Sequence, residues 1–190
     1  MTSLAFLLFY IILRKSITGK KIQQKFPRLS DYTREIGFSV LTVFIMAFIP
    51  AIVIGSPDIS RYTRFYIDIR QHSMTWFVLA FPVMALIHDT YFYWMHRVIH
   101  HPKIFKYVHL VHHQSTNPSP FAAYAFHPLE AILEACIFLV FVFTIPVHFY
   151  HLIFFFLFMI IYNVYGHLGW ELYPKGFSKH WLGRWINTSV

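Results

Sequence analysis

Residues 36–55 contain no charged side chain, and residues 74–94 contain one, Asp89. A bilayer-crossing helix needs roughly 20 such residues. Inside hydrocarbon every backbone N–H and C=O must be satisfied within the protein, so segments of this kind fold as helices. Two shorter apolar runs, Ala131–Val147 and Leu152–Tyr165, flank His148-Phe-Tyr-His151 and read as a hairpin that enters the membrane and returns. Leu4–Leu13 is apolar but short. Its positive residues, Arg14 and Lys15, follow the run, whereas a signal peptide carries them in front. It reads as the end of a membrane helix or as an interfacial one. Pro50 and Pro82 fall inside the two long runs, with a kink expected at Pro50. The expectation is an all-α integral membrane protein of about four membrane helices, the first short or truncated, forming a single domain over residues 1–190.

Composition agrees with lipid as the solvent. Charged residues make up 13% of the chain, against about 25% in soluble domains. The single cysteine, Cys136, lies in an apolar run and excludes both a disulfide framework and a zinc ribbon. No glycine-rich phosphate loop is present. The net charge of +8 reports orientation rather than nucleic-acid binding, because Lys and Arg collect in cytoplasmic loops. If the basic segment 14–35 is cytoplasmic, thirteen of the sixteen Lys and Arg fall on that side, leaving Arg61, Arg64 and Arg70 outside. The same assignment puts ten of the thirteen histidines on the cytoplasmic side, although histidine took no part in making it.

Six histidines lie between residues 96 and 113. His96 and His100 are four apart, so on a helix they share a face. His109, His112 and His113 repeat the pattern at i, i+3 and i+4. Neutral imidazole suits iron, zinc, copper or nickel. Two such pieces facing one another offer at least five nitrogens. A tetrahedral site takes four, so two metals are the natural reading, in a histidine-rich helical cap at the cytoplasmic surface.

Other polar residues leave alternatives open. His88 reads as a support to the ligands or a solvated helix end, and Asp89 as a partner for a ligand histidine or a helix-end charge. His127 is a ligand or a helix cap ahead of Pro128 at N1. His167 reads as a ligand, with Glu171 a weaker candidate; His180 is undecided. His148 and His151 fall on the opposite membrane side and read as interfacial.

The runs His88-Asp-Thr-Tyr-Phe-Tyr-Trp-Met-His-Arg-Val-Ile-His-His101, His109-Leu-Val-His-His113 and Ala125-Phe-His-Pro-Leu-Glu130 resemble the fatty acid hydroxylase superfamily, its sterol desaturase-like branch above all. Asn117-Pro-Ser-Pro120 and Tyr162-Asn-Val-Tyr-Gly-His-Leu-Gly169 fit the same branch. The resemblance implies a di-metal centre, taken as two iron ions (zinc being an alternative in a purified sample), beneath a cap over four membrane helices. It implies O2-dependent hydroxylation or desaturation of a sterol or fatty acyl lipid. His96 and His100 match its first histidine box, with His101 able to replace His100. His109, His112 and His113 match the second, and His167 matches a further ligand. A third box of the form H-x2-H-H is expected after a segment like Trp185-Ile-Asn-Thr-Ser, where this sequence reaches Val190. The chain therefore reads as a C-terminally truncated piece, with its N-terminus open to the same reading, that holds metal weakly. No haem-domain or dinucleotide motif is present. A separate electron donor such as cytochrome b5, ferredoxin or a reductase is implied, along with a lipid substrate from the bilayer. Trp76, Phe77, Phe92 and Phe126 are candidate lining residues or simple packing. The competing reading is a metal-ion transporter or a metal-binding protein without redox chemistry. Against it, the histidines cluster outside the apolar helices, where Glu134 is nearly the lone ionisable residue.

Overall fold

The computed structural model describes residues 1–174, 176–181 and 183–186, with the side chains of 185 and 186 left out. Asn187, Thr188 and Ser189 of the segment ahead of the expected third box, together with Val190, lie outside the described residues. The chain begins with α1 (Thr2–Phe6), which continues as a π-helical stretch over Leu7–Ile12, and then α2 (Arg14–Ile17). Next come the long α3 (Leu29–Gly55), the single turn α4 (Pro57–Ser60) and the two-residue strand β1 (Phe65–Tyr66). After these come α5 (Met74–Ile99), α6 (Pro102–Val108), α7 (Leu110–His113) and α8 (Pro128–Thr144). Strand β2 (Val147–His148), α9 (Phe149–Gly166) and the turn α10 (Gly183–Ile186) complete the order.

α3, α5 and α9 are each long and apolar enough to cross a membrane. Thr2–Ile12 and Arg14–Lys20, bent by 79° at their junction, would make a fourth span if taken together. The protein is thus an all-α, multi-pass membrane protein. Its long helices turn apolar side chains outward, as lipid contact requires: Val40, Val43, Phe44 and Phe48 on α3, Val78, Leu79 and Leu86 on α5, and Phe154, Phe158 and Ile161 on α9 are exposed. α3 runs on past Pro50 to Gly55, and α5 past Pro82 to Ile99. The expected hairpin is present as α8 and α9. α8 is its inner member, burying Ala131, Ala135, Ile137, Phe138, Phe141 and Val142.

The chain divides into two compact units. The first comprises residues 1–39, 115–125 and 160–190. Its core gathers Tyr10, Ala123, Val164, Leu168 and Trp170. The 115–125 segment is tied down residue by residue. Asn117 Nδ2 donates to Lys25 O (2.8 Å), Tyr10 OH to Pro118 O (2.9 Å), and Asn163 Nδ2 to Ala123 O (2.8 Å). The Ser119 hydroxyl donates to the buried Glu35 carboxylate at 2.5 Å. Gly169 has φ +79°, and a Cβ there would sit 3.3 Å from Pro118 O, so this close crossing needs glycine. The two motifs around 117–120 and 162–169 therefore meet in one packed unit.

The second unit comprises residues 40–114 and 126–159. Met84, Ile137, Phe141, Val147 and Phe155 form one core group, and Met95, Ile99 and Val108 another. Tyr91 OH on α5 donates to Leu133 O on α8 at 2.7 Å. At the other end of the hairpin β1 pairs in parallel with β2, Phe65 opposite Val147 and Tyr66 opposite His148.

Candidate metal centre

α5 carries His96 in its last turn and has His100 as its C-cap, still in helical geometry (φ −77°, ψ −6°). The i, i+4 spacing therefore keeps both rings on one face, and their Nε2 atoms lie 3.0 Å apart. His101 turns into extended backbone (φ −61°, ψ 133°) and starts α6, its Nδ1 accepting from Lys103 N–H at 3.3 Å with Pro102 behind it. Two adjacent histidines thus part company, His100 facing the cluster and His101 capping a helix. α6 places Phe105 against the rings of His100, His109 and His113, at centroid distances of 5.7, 6.0 and 5.2 Å. His109 joins α6 to α7, and α7 carries His112 and His113.

His100 Nε2 is 3.4 Å from His113 Nε2. Candidate ligand atoms of His96, His100 and His109 all fall within 4.8 Å of one another. The His109 ring lies 4.6 Å from that of His113 and 5.4 Å from that of His112. Nitrogens bound at about 2.0–2.1 Å to one metal, with bond angles between roughly 90° and 109°, are separated by about 2.9–3.4 Å. The observed Nε2 spacings match. Among the described residues His96 Nδ1 and His109 Nε2 are buried without a hydrogen-bond partner, an arrangement that costs free energy unless something binds there. The donor set fits a transition metal of the iron or zinc kind.

Protonation favours the same use. Burial, then the neighbouring His109, holds the His100 ring below the usual histidine range. Burial does the same for His109, and burial with His109 and His100 for His113. Neutral rings keep a lone pair for a metal. The carboxylate of Glu130 then fixes which nitrogen of His109 offers it. Glu130 Oε1 is 2.6 Å from His109 Nδ1, with both side chains 1% exposed. Burial pushes the Glu130 carboxyl up to about 8, so the arrangement needs its ionised form: a proton on His109 Nδ1 then donates to the carboxylate and leaves Nε2 bare toward the cluster, as carboxylates commonly orient ligand histidines.

The remaining candidates separate clearly. Asp89 pairs with its neighbour His88 at 3.3 Å and is 82% exposed, so it supports no ligand histidine. His88 stacks on Phe92 and Phe92 on His96, at 5.9 and 5.1 Å. His127 caps α8, its Nδ1 accepting from Leu129 N–H at 3.3 Å. His148 and His151 are buried and bonded to backbone. His167 belongs to the first unit, where its Nδ1 lies 2.8 Å from Asn163 O. Glu171 accepts from Tyr173 N–H within its own turn, and His180 stacks near Trp181. Among the proposed lining residues, Phe92 borders an open recess of about 390 Å³ with Tyr93, His96, Arg97 and His100. Phe126 packs on His112 at 5.2 Å. Trp76 and Phe77 instead serve the other end of the hairpin, bonding Pro146 and His151.

Glu130 is the candidate site residue that sequence reasoning passes over, although it stands in the Phe-His-Pro-Leu-Glu run. One signal points to it: it is the first acidic residue after Asp89, and Pro128 at N1 sets it in the first turn of a helix.

The fatty acid hydroxylase family model matches residues 81–190. The chain is 31% identical over 131 residues to the Delta(7)-sterol 5(6)-desaturase ERG3B of Gibberella zeae, covering 69% of this chain and 39% of that protein. It is 31% identical over 121 residues to the lathosterol oxidase of Rattus norvegicus, covering 63% and 40%. The chain thus spans about two fifths of the length of these curated relatives. No solved structure matches it.

Proposed function

Because the chain belongs to the fatty acid hydroxylase family, we propose that it forms part of a membrane-bound non-haem di-iron oxidoreductase that uses O2 to hydroxylate or desaturate a lipid of sterol or fatty acyl type. The observation that carries this reading is the convergence of His96, His100 and His113 Nε2 atoms beside His109, whose other nitrogen is held by Glu130. His96, His100, His109, His112 and His113 would hold the iron, with His167 kept as a further ligand on the sequence resemblance. When bound, the iron supplies activation of O2 with electrons from a separate carrier.

The chain's own part is placement. α5 and α6–α7 bring two groups of imidazoles together. Glu130 keeps the Nδ1 proton of His109 and so leaves Nε2 bare. Phe92, Phe105 and Phe126 surround the rings with apolar surface and limit water around them. The recess beside His96 and His100, lined by Phe92 and Tyr93, receives the apolar part of the substrate from the bilayer. The excess of Lys and Arg on one side supports a cytoplasmic orientation for the histidines.

The test is lipid analysis of cells expressing the full-length protein, wild type against His112→Ala. A hydroxyl or double bond that depends on His112 names substrate and reaction together. Identical lipid profiles would overturn the reading, and metal uptake by vesicles carrying the protein would then favour transport.

A further inference from the structure

No acidic side chain occurs between Asp89 and Glu130, whereas Arg97, Lys103 and Lys106 all fall in that stretch. All three cations are exposed. Exposed Trp94 and Tyr107 accompany them. The Arg97 guanidinium lies 5.8 Å from the Trp94 ring and Lys106 Nζ 4.6 Å from the Tyr107 ring. Neither lysine has a carboxylate partner among the described residues. α6 is therefore two-sided. Phe105 turns in against His100, His109 and His113, and Lys103, Lys106 and Tyr107 turn out.

A surface of one sign attracts a partner of the other and orients it during approach. The proposed reaction, on which this inference rests, takes its electrons from outside the chain. We propose that the face formed by Arg97, Lys103 and Lys106 is the docking surface for an acidic one-electron carrier protein, with Phe105 lying between that face and the histidine rings. Each docking event oxidises the carrier by one electron. Two events and two protons accompany each O2, giving an alcohol and one water on hydroxylation, or a C=C bond and two waters on desaturation. Anionic lipid headgroups carry the same charge. The arrangement favours a protein, because Lys103 and Lys106 lie on the segment joining the two histidine motifs and Arg97 lies within the first, where a carrier's donor group must come close.

The test uses the full-length, metal-loaded protein in neutral detergent, as wild type, as K103Q/K106Q and as K103E/K106E. The probe is the acidic haem domain of cytochrome b5, and dithionite serves as a reductant that needs no docking. Association with the haem domain is measured on metal-loaded and metal-free protein, and its oxidation rate on loaded protein. The expected result is a graded fall, reaching ~10-fold or more in association rate for the double charge reversal at low salt. The difference closes at high salt, while melting temperature and dithionite-driven turnover stay unchanged. Equal association and oxidation rates for all three proteins would overturn the proposal. So would a variant that loses only its binding to phosphatidylserine vesicles, which would make the patch a lipid contact. If dithionite and O2 yield no product from any of the proteins, the oxidase reading fails, and association with metal-free protein still decides whether the surface docks an acidic carrier.

Discussion

His148 and His151 commit every ring nitrogen to the backbone, whereas His96, His100 and His113 point ring nitrogens at one another. His148 Nδ1 accepts from Tyr150 N–H at 3.1 Å, and its Nε2 lies 2.7 Å from Ile67 O. His151 Nδ1 accepts from His148 N–H at 3.0 Å, and its Nε2 lies 2.9 Å from Phe77 O. Both rings are buried, at 2% and 0% exposed, and they fasten the 65–77 segment to the start of α9. In the other group His96 Nδ1 and His109 Nε2 find no partner among the described residues. Residue type and burial therefore do not separate a fastening histidine from a ligand. What separates them is whether each ring nitrogen already has a polar group to meet.

That distinction breaks if removing converging nitrogens leaves metal binding intact. His100→Ala with His113→Ala is expected to have the largest effect, lowering metal affinity beyond the ~10–100-fold seen when supporting residues are lost. Both side chains are exposed, so the metal-free protein should change by no more than ~0.5 kcal/mol at each site. Chelator competition and metal analysis measure the first, thermal melting the second. Glu130→Ala comes next, with metal affinity falling about 10–100-fold. Glu130→Gln should recover part of it, since an amide oxygen still accepts from His109 Nδ1–H. An equal loss in both variants would show that charge, rather than orientation, is what Glu130 provides.

His151→Ala tests the opposite side of the comparison. It removes the ring's bond to the Phe77 carbonyl and leaves the buried His148 N–H without its acceptor, at a cost of about 1–3 kcal/mol in stability, with metal content unchanged. A fall in metal content would mean that the fastened pair is not independent of the cluster. The smallest effect is expected at His101 and His127, each acting as a cap. Alanine there should cost about 1 kcal/mol and leave metal binding as it was.

Much of this is legible in spacing. The i, i+4 interval joins His96 to His100, and the long uncharged runs give the spanning helices. Spacing does not choose between His100 and His101. That choice depends on where α5 stops, and Pro102 at the start of α6 settles it by keeping His101 in extended backbone. The partner of His109 is harder to see, because Glu130 reaches it from a separate helix. Asp89, adjacent to a histidine in sequence, is the nearer candidate, yet it pairs with His88 at the surface. The burial of His148 and His151 is not visible in the sequence, because it depends on the Phe65–Phe77 segment folding over them, a contact between residues more than seventy apart. Periodicity reports faces of one element, not what a distant loop will cover.

α6 also bears on how such a chain can change length over generations. It joins the two histidine groups, and it holds Phe105 in register with both. Each residue added to or removed from a helix rotates the downstream chain by about 100° and shifts it by about 1.5 Å. A one-codon insertion or deletion within 102–108 would therefore swing His109, His112 and His113 away from His96 and His100, even with every histidine retained. Size variation among natural descendants of this sequence should collect elsewhere, in surface turns such as 56–64, while the interval from His100 to His109 stays constant in length.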